Sequence, residues 1–203
     1  IAICRRRARR SNTSVDQLSL GLDLAVGQTA GDVGEDGRSK GHAGAAAQRS
    51  VHFETFLWKE GVLGQRVADA LSARARAGVT VRVLLDATGT KKMGKAAEQQ
   101  LKEAGCKVVK FHAWHIRNIG VMNERDHRKL VVLDGRVALL GGHCIVDTWL
   151  GDAEDKEHFA DLSVRLRGPI VNSVQAAFSE NWGGHTGELF MGNDVFPRLE
   201  HAG

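Results

Sequence analysis

Cysteine is scarce, tyrosine is absent and no long apolar run occurs in the 203 residues, and these absences remove several classes of protein. Cys4, Cys106 and Cys144 stand far apart with no C-x-x-C pair, which argues against a disulfide framework and a cysteine-rich zinc site and fits a reducing compartment. No stretch approaches the roughly 20 apolar residues of a membrane-spanning helix. The segment from Leu18 to Val26 is interrupted by Asp23 and is too short and polar for a signal peptide. With 42% hydrophobic and 26% charged residues, wholesale disorder and fibrous classes are excluded as well. The length suits one domain, or one domain with a tail, and is ample for burying a core.

The formal charge of +4 sits in one place. Arg5, Arg6, Arg7, Arg9 and Arg10 supply five positive charges with no acid among the first ten residues, and without them the body carries −1. The positive charge therefore describes a solvated head rather than a nucleic-acid-binding face. Gly21, Gly27, Gly31, Gly34, Gly37, Gly41 and Gly44 follow among small and acidic residues with little apolar periodicity. Such a segment buries too little surface to offset its ordering entropy, so residues 1–45 are expected to form a disordered or foreign tail. The chain opens on Ile1 rather than Met, and its true start is expected upstream.

From Ala45 the pattern sharpens. Ser50 to Leu57 alternates, with Val51, Phe53 and Leu57 on one face, and predicts a strand. Leu63, Val67, Ala70 and Leu71 keep helical spacing up to a stop at Gly78. Val79 to Leu85 is a near-continuous branched apolar run ending at Asp86, as a buried parallel strand is. Gly89 and Gly94 mark a loop, Lys95 to Ala104 a helix closed by Gly105, and Cys106 to Phe111 a third strand. This β-α-β-α-β order predicts parallel pairing. The rhythm then changes. Lys129–Leu133 and Arg136–Leu140 are joined by Asp134-Gly135, a tight hairpin signal, and a strand follows over Phe159–Leu166. Gly168-Pro169 opens a helix, with Ile170, Val174, Ala177 and Phe178 on one face, expected to end near Trp182-Gly183. The fold class is α/β: a mixed sheet flanked by helices over residues 46–203, behind the tail.

Chemistry concentrates in Asp126-His127-Arg128-Lys129, continuing through Asp134 to Gly141-Gly142. Two residues apart on an extended chain, His127 and Lys129 project from one face. An ammonium there disfavours a protonated imidazole and can neutralise an anionic substrate. Glycines at the end of the second hairpin strand let the backbone approach a ligand. His112, His115, His127 and His143 show neither a helical i, i+4 pair nor a nearby carboxylate, so they read as loop histidines rather than zinc ligands. Trp114, Trp149 and Trp182 read as core or rim aromatics, and residues 118–124 as a loop on the substrate side.

The pattern His127-x-Lys129-x4-Asp134-x6-Gly141-Gly142 resembles the HKD signature of the phospholipase D superfamily. Phe53-Glu54-Thr55-Phe56, Ala75-Arg76-Ala77-Gly78-Val79 with Val83-Leu84-Leu85-Asp86, and Asp161 through Arg167-Gly168-Pro169 are similar to the N-terminal half of bacterial cardiolipin-synthase-like members. The resemblance implies phosphodiester cleavage or phosphatidyl transfer on a phospholipid, phosphatidylglycerol-like, through a phosphohistidine, with no metal or cofactor. It makes His127 the nucleophile or its partner acid, Lys129 the holder of phosphate oxygens, Asp161 the hydrogen-bonding orienter of His127, and Asp134 structural. It also implies work at a membrane surface, as a bacterial cytoplasmic-membrane-associated protein without a spanning segment in this stretch.

Two features depart from the family. Cys144 stands where an Asn usually helps to bind phosphate, leaving neighbouring His143 as the compensating group. Only one such motif is present, whereas family sites use two. The second half is therefore expected either from a missing C-terminal region, since the chain stops at Gly203, or from a homodimer partner. A dimeric nuclease-type phosphodiesterase and an inactive half serving as a binding or assembly module are the alternatives. The near-neutral body argues against the first.

Overall fold

The computed structural model describes residues 2–3, 47–111, 125–151, 153 and 155–200. Its strands are β1 (Ala2–Ile3), β2 (Ser50–Thr55), β3 (Thr80–Asp86), β4 (Lys107–Phe111), β5 (Leu130–Leu133), β6 (Val137–Gly141) and β7 (Ser163–Arg167). Its helices are α1 (Val62–Arg76), α2 (Lys95–Glu103) and α3 (Ile170–Thr186), with a 3-10 turn over Asp147–Trp149. One mixed sheet runs in the order β1-β7-β6-β5-β2-β3-β4, with β2, β3 and β4 parallel and every other pairing antiparallel. Strands β2 to β7 are its six-stranded body. Of residues 1–45, where a disordered tail is expected, only Ala2–Ile3 is described, paired with β7; the others lie outside the described residues.

The parallel unit follows from its sequence. Val83, Leu84 and Leu85 are fully buried because helices cover both sides of β3. Helix α1 buries Leu63, Val67 and Leu71 on one stripe and stops before Gly78, whose φ of 86° turns the chain toward β3. Its first turn has no side-chain cap of its own. The Asp147 carboxylate instead accepts Val62 N–H at 3.0 Å and Leu63 N–H at 2.9 Å, and a Cβ on Gly61 would collide with it.

The Asp134-Gly135 turn has both residues at positive φ, 53° and 65°, as a primed hairpin requires. Asp134 also holds the entry to β2: its carboxylate accepts the N–H groups of Gln48, Arg49 and Ser50 at 2.8–2.9 Å.

Two boundaries and one burial pattern depart most from the sequence reading. Strand β7 starts at Ser163 rather than Phe159, because its ladder with β6 ends at the Gly141–Ser163 pair and Phe159 N–H donates instead to the Thr148 carbonyl. Helix α3 runs through Gly183 and Gly184 to Thr186, ending where Gly187 takes φ 74° and donates to Gly183. Strand β2 is buried along both faces, not one, because α3 arrives from far along the chain to cover His52 and Glu54.

Candidate active site

The candidate residues meet where the chain enters β5. His127 is exposed just before that strand, and its position is set from behind. Asp86, at the end of β3, accepts Thr88 and Gly89 N–H groups on Oδ1 and Asp126 N–H on Oδ2 at 3.0 Å. The peptide leading into His127 is thereby tied to the end of the parallel sheet.

Lys129 is buried, and its Nζ donates to His127 Nδ1 at 3.2 Å and to the His127 carbonyl at 2.7 Å. Phe56 forms the wall: its ring lies 4.5 Å from the imidazole, centroid to centroid, and Lys129 Nζ stands 5.2 Å from its centroid. Burial lowers the Lys129 pKa, while Cys144, Asp126 and Asp161 pull it back up. With Nδ1 accepting from an ammonium, a neutral His127 carries its proton on Nε2.

The other motif residues divide into two groups. Asp161, Gly142 and Cys144 lie around Lys129, whereas Asp134 is at the opposite end of β5. A Cβ on Gly142 would collide with the Asp161 carboxylate, and one on Gly141 with Ser163 and the Leu162 carbonyl, so both positions need glycine for space. The hydrogen bond expected from Asp161 to His127 is not formed. The Asp161 carboxylate accepts instead from Leu162 N–H at 2.7 Å and Trp149 Nε1 at 3.4 Å, while Lys129 occupies Nδ1 of His127. Burial pushes the Cys144 thiol up, with Asp161 adding and Lys129 opposing; the sulfur lies 3.8 Å from the Gly142 carbonyl oxygen. His143 is buried, with Nδ1 2.9 Å from Ser163 Oγ.

Sequence reasoning missed two parts of this site. Phe56 belongs to the quoted Phe53–Phe56 block, yet nothing in its type marks a wall for His127. The other is an acid pair behind the motif, signalled only by a Glu on an otherwise well-buried strand. His112, Trp114, His115 and the expected loop at 118–124 lie outside the described residues. Among the described residues, no group of three or more His, Cys, Asp or Glu side chains could hold a metal ion.

The family described as cardiolipin synthase, PLD-like domain, matches residues 45–182. The chain belongs to that family. Among similar proteins, the major cardiolipin synthase ClsA of Bacillus subtilis is 35% identical over 137 residues, covering 67% of this chain and 28% of that protein. Cardiolipin synthase 1 of Bacillus cereus is 30% identical over 165 residues, covering 76% and 32%. The chain thus spans about a third of the length of these cardiolipin synthases. The phospholipase D family member Nuc from Salmonella typhimurium superposes with a TM-score of 0.51 at 15% identity, covering 68% of this chain and 81% of that one, which shows a shared phospholipase-D-like fold. Within the cardiolipin synthase PLD-like domain, the matched stretch takes in β2 through most of α3 and every candidate residue.

Proposed function

We propose that residues 46–203 form one half of a phospholipid phosphodiesterase or phosphatidyltransferase, with His127 as the reacting side chain. The observation that carries the reading is the exposed imidazole of His127 held against the buried ammonium of Lys129 on the wall of Phe56. An ammonium donating to the ring and its carbonyl is preorganised for a phosphate, whose oxygens compete for the same N–H groups. Once a phosphate takes the ammonium, Nδ1 is released and Asp161, across Gly142, is the carboxylate that accepts an Nδ1–H and leaves the Nε2 lone pair for attack.

In this reading Nε2 attacks phosphorus and the bond from phosphorus to the leaving alkoxide breaks. The alkoxide takes a proton from a second histidine, supplied by another HKD half from elsewhere in the protein or from a second copy. Water or an alcohol then attacks, the P–N bond breaks, and the hydroxyl proton returns to that second histidine. A phospholipid is supported by the family and by exposed Phe159 and Leu162, 53% and 49% accessible, flanking Asp161 as an apolar rim. No helix among the described residues is long and apolar enough to cross a membrane; a phospholipid substrate would bring this site to a membrane surface. One observation favours a phosphate-binding module without turnover: Cys144, a weak donor with a raised pKa, beside Lys129.

Turnover of a chromogenic phosphodiester tests the reading. His127→Ala should lose about a thousandfold or more. Hydrolysis or transfer on phosphatidylglycerol vesicles should exceed cleavage of single-stranded DNA. Activity that survives His127→Ala removes this histidine from the chemistry, and phosphate binding without turnover selects the module.

A further inference from the structure

Three acids are deeply buried close to His127: Asp86, whose oxygens are taken by backbone N–H groups, and Glu54 and Asp126, at 1% and 3% accessibility, which the chemistry above does not use. Each has one oxygen placed by a conventional donor. Asn181 Nδ2 on α3 donates to Glu54 Oε1 at 2.6 Å, and Arg128 N–H donates to Asp126 Oδ1 at 3.2 Å. The remaining oxygens, Glu54 Oε2 and Asp126 Oδ2, are buried and receive no N–H or hydroxyl from any other group. The two carboxyl groups lie close enough to act on one another, and a hydrogen bond between them would satisfy both orphaned oxygens. Two acceptors can make that bond only with a proton between them, because like charges in contact in a dry site cannot both ionise.

We propose that Glu54 and Asp126 share one proton and together act as a positioning site for His127, a role that rests on the reading of His127 given above. Residue 126 is the hinge of this assignment. Its N–H is held by Asp86, its carboxyl by Glu54, and the next side chain along the chain is the imidazole. Glu54 is fixed in turn by Asn181, so α3 and β2 clamp the peptide that presents His127 to Lys129.

The charged and titratable groups around the pair come from each element that packs on it. Asp86 lies at the end of β3, and the Lys129 ammonium, on which Asp126 acts, lies at the entry to β5. Arg128 enters β5 and binds the Ala177 carbonyl and Glu180 on α3, and His185 Nδ1 lies 2.8 Å from the Asn181 carbonyl oxygen. Burial first, and Asp126 second, raise the Glu54 pKa well above the carboxylate range, with Asn181 and Arg128 opposing. At neutral pH the pair therefore carries one negative charge. Alkaline pH removes the shared proton, places two carboxylates against each other and releases residue 126.

The full chain tests this by infrared and NMR spectroscopy, with turnover as a separate readout. A protonated-carboxyl band should be present at neutral pH and vanish in both Glu54→Gln and Asp126→Asn. In each variant an amide donates across the pair, so the His127 ring resonances should stay in place and lose their alkaline transition. Glu54→Leu leaves Asp126 Oδ2 with no donor: the His127 resonances should shift, and kcat should fall at least tenfold while KM stays within threefold. Should Glu54→Leu fail to fold, the two amide variants still decide. The proposal is overturned if no protonated carboxyl exists at neutral pH, if the alkaline transition of His127 persists in Glu54→Gln, or if a folded Glu54→Leu leaves the His127 resonances unchanged. A wild-type chain without turnover refutes the functional reading alone, since the band and the ring resonances need no activity.

Discussion

Toward α1 and α2 the sheet presents Val51 and Phe53 from β2 and Val81, Val83 and Leu85 from β3, all in one apolar cluster with Leu63, Val67, Leu71 and Leu101. Toward α3 the alternate positions of the same strands present His52, Glu54 and Arg82. The second face still has an apolar centre in Leu84, Val132, Phe178 and Trp182, but its polar groups are tied into specific partners. His52 packs against both Phe178 and Phe190, with ring centroids 4.9 and 5.0 Å away, the three near-parallel rings forming a triangle. Its Nδ1–H donates to Gln175 Oε1 at 2.8 Å, while Nε2 accepts from Arg82 at 3.3 Å. Arg82 and Trp182 both reach Glu188 beyond the end of α3. An apolar face stabilises in proportion to area whatever the pH, whereas a buried polar face stabilises only while each group keeps one protonation state.

The largest expected effect breaks the apolar side. Leu85→Ala removes a fully buried side chain from the α1–α2 face and should cost about 2–5 kcal/mol by urea denaturation. The loss should be the same at pH 5 and pH 8. A pH-dependent loss would mean that the two faces are not chemically separate.

The second prediction belongs to the α3 face. Burial, with Arg82 adding to it, lowers the His52 pKa to about 4 against Gln175 and Glu188, so the folded chain keeps this ring neutral where the unfolded chain protonates it. Stability from this group is therefore full above pH 6.5 and is lost as pH falls toward 4, with a ceiling on the order of 3 kcal/mol. His52→Gln should flatten the stability curve across that window. It should leave the lower window of Glu188, held near 2 chiefly by Arg82, in which stability is lost as pH falls from about 4.5 to about 2. An unchanged slope between pH 6.5 and 4 would show that His52 is not the group that titrates.

The two faces also differ in how far the sequence announced them. Leu63, Val67 and Leu71 at helical spacing, and the run from Val79 to Leu85, report their burial directly because apolar periodicity is local. The hairpin was legible for the same reason: Asp134-Gly135 carries its backbone preference in two residues. His127 and Lys129 stood out through motif spacing. Glu54 and His52 did not, because their partners Asn181 and Gln175 lie more than 120 residues away on α3. The Asp161 geometry was hidden too, since motif spacing does not show that Lys129 rather than Asp161 meets Nδ1 of His127.

The smallest effect concerns a polar contact at the end of the sheet, which belongs to neither face. Asp134 joins the β5–β6 turn to the start of β2 by accepting three N–H groups, and two of those three bonds are exposed. Water can replace much of what the carboxylate supplies there, so Asp134→Ala should cost about 1–2 kcal/mol, less than the Leu85 cavity. Asp134 lies at the far end of β5 from His127, so the His127 ring resonances should not move. Residual destabilisation with an undisturbed ring would confine this aspartate to holding strand register. A shift of the His127 resonances would instead mean that β5 transmits strain from its turn to its entry, coupling the hairpin end to the site.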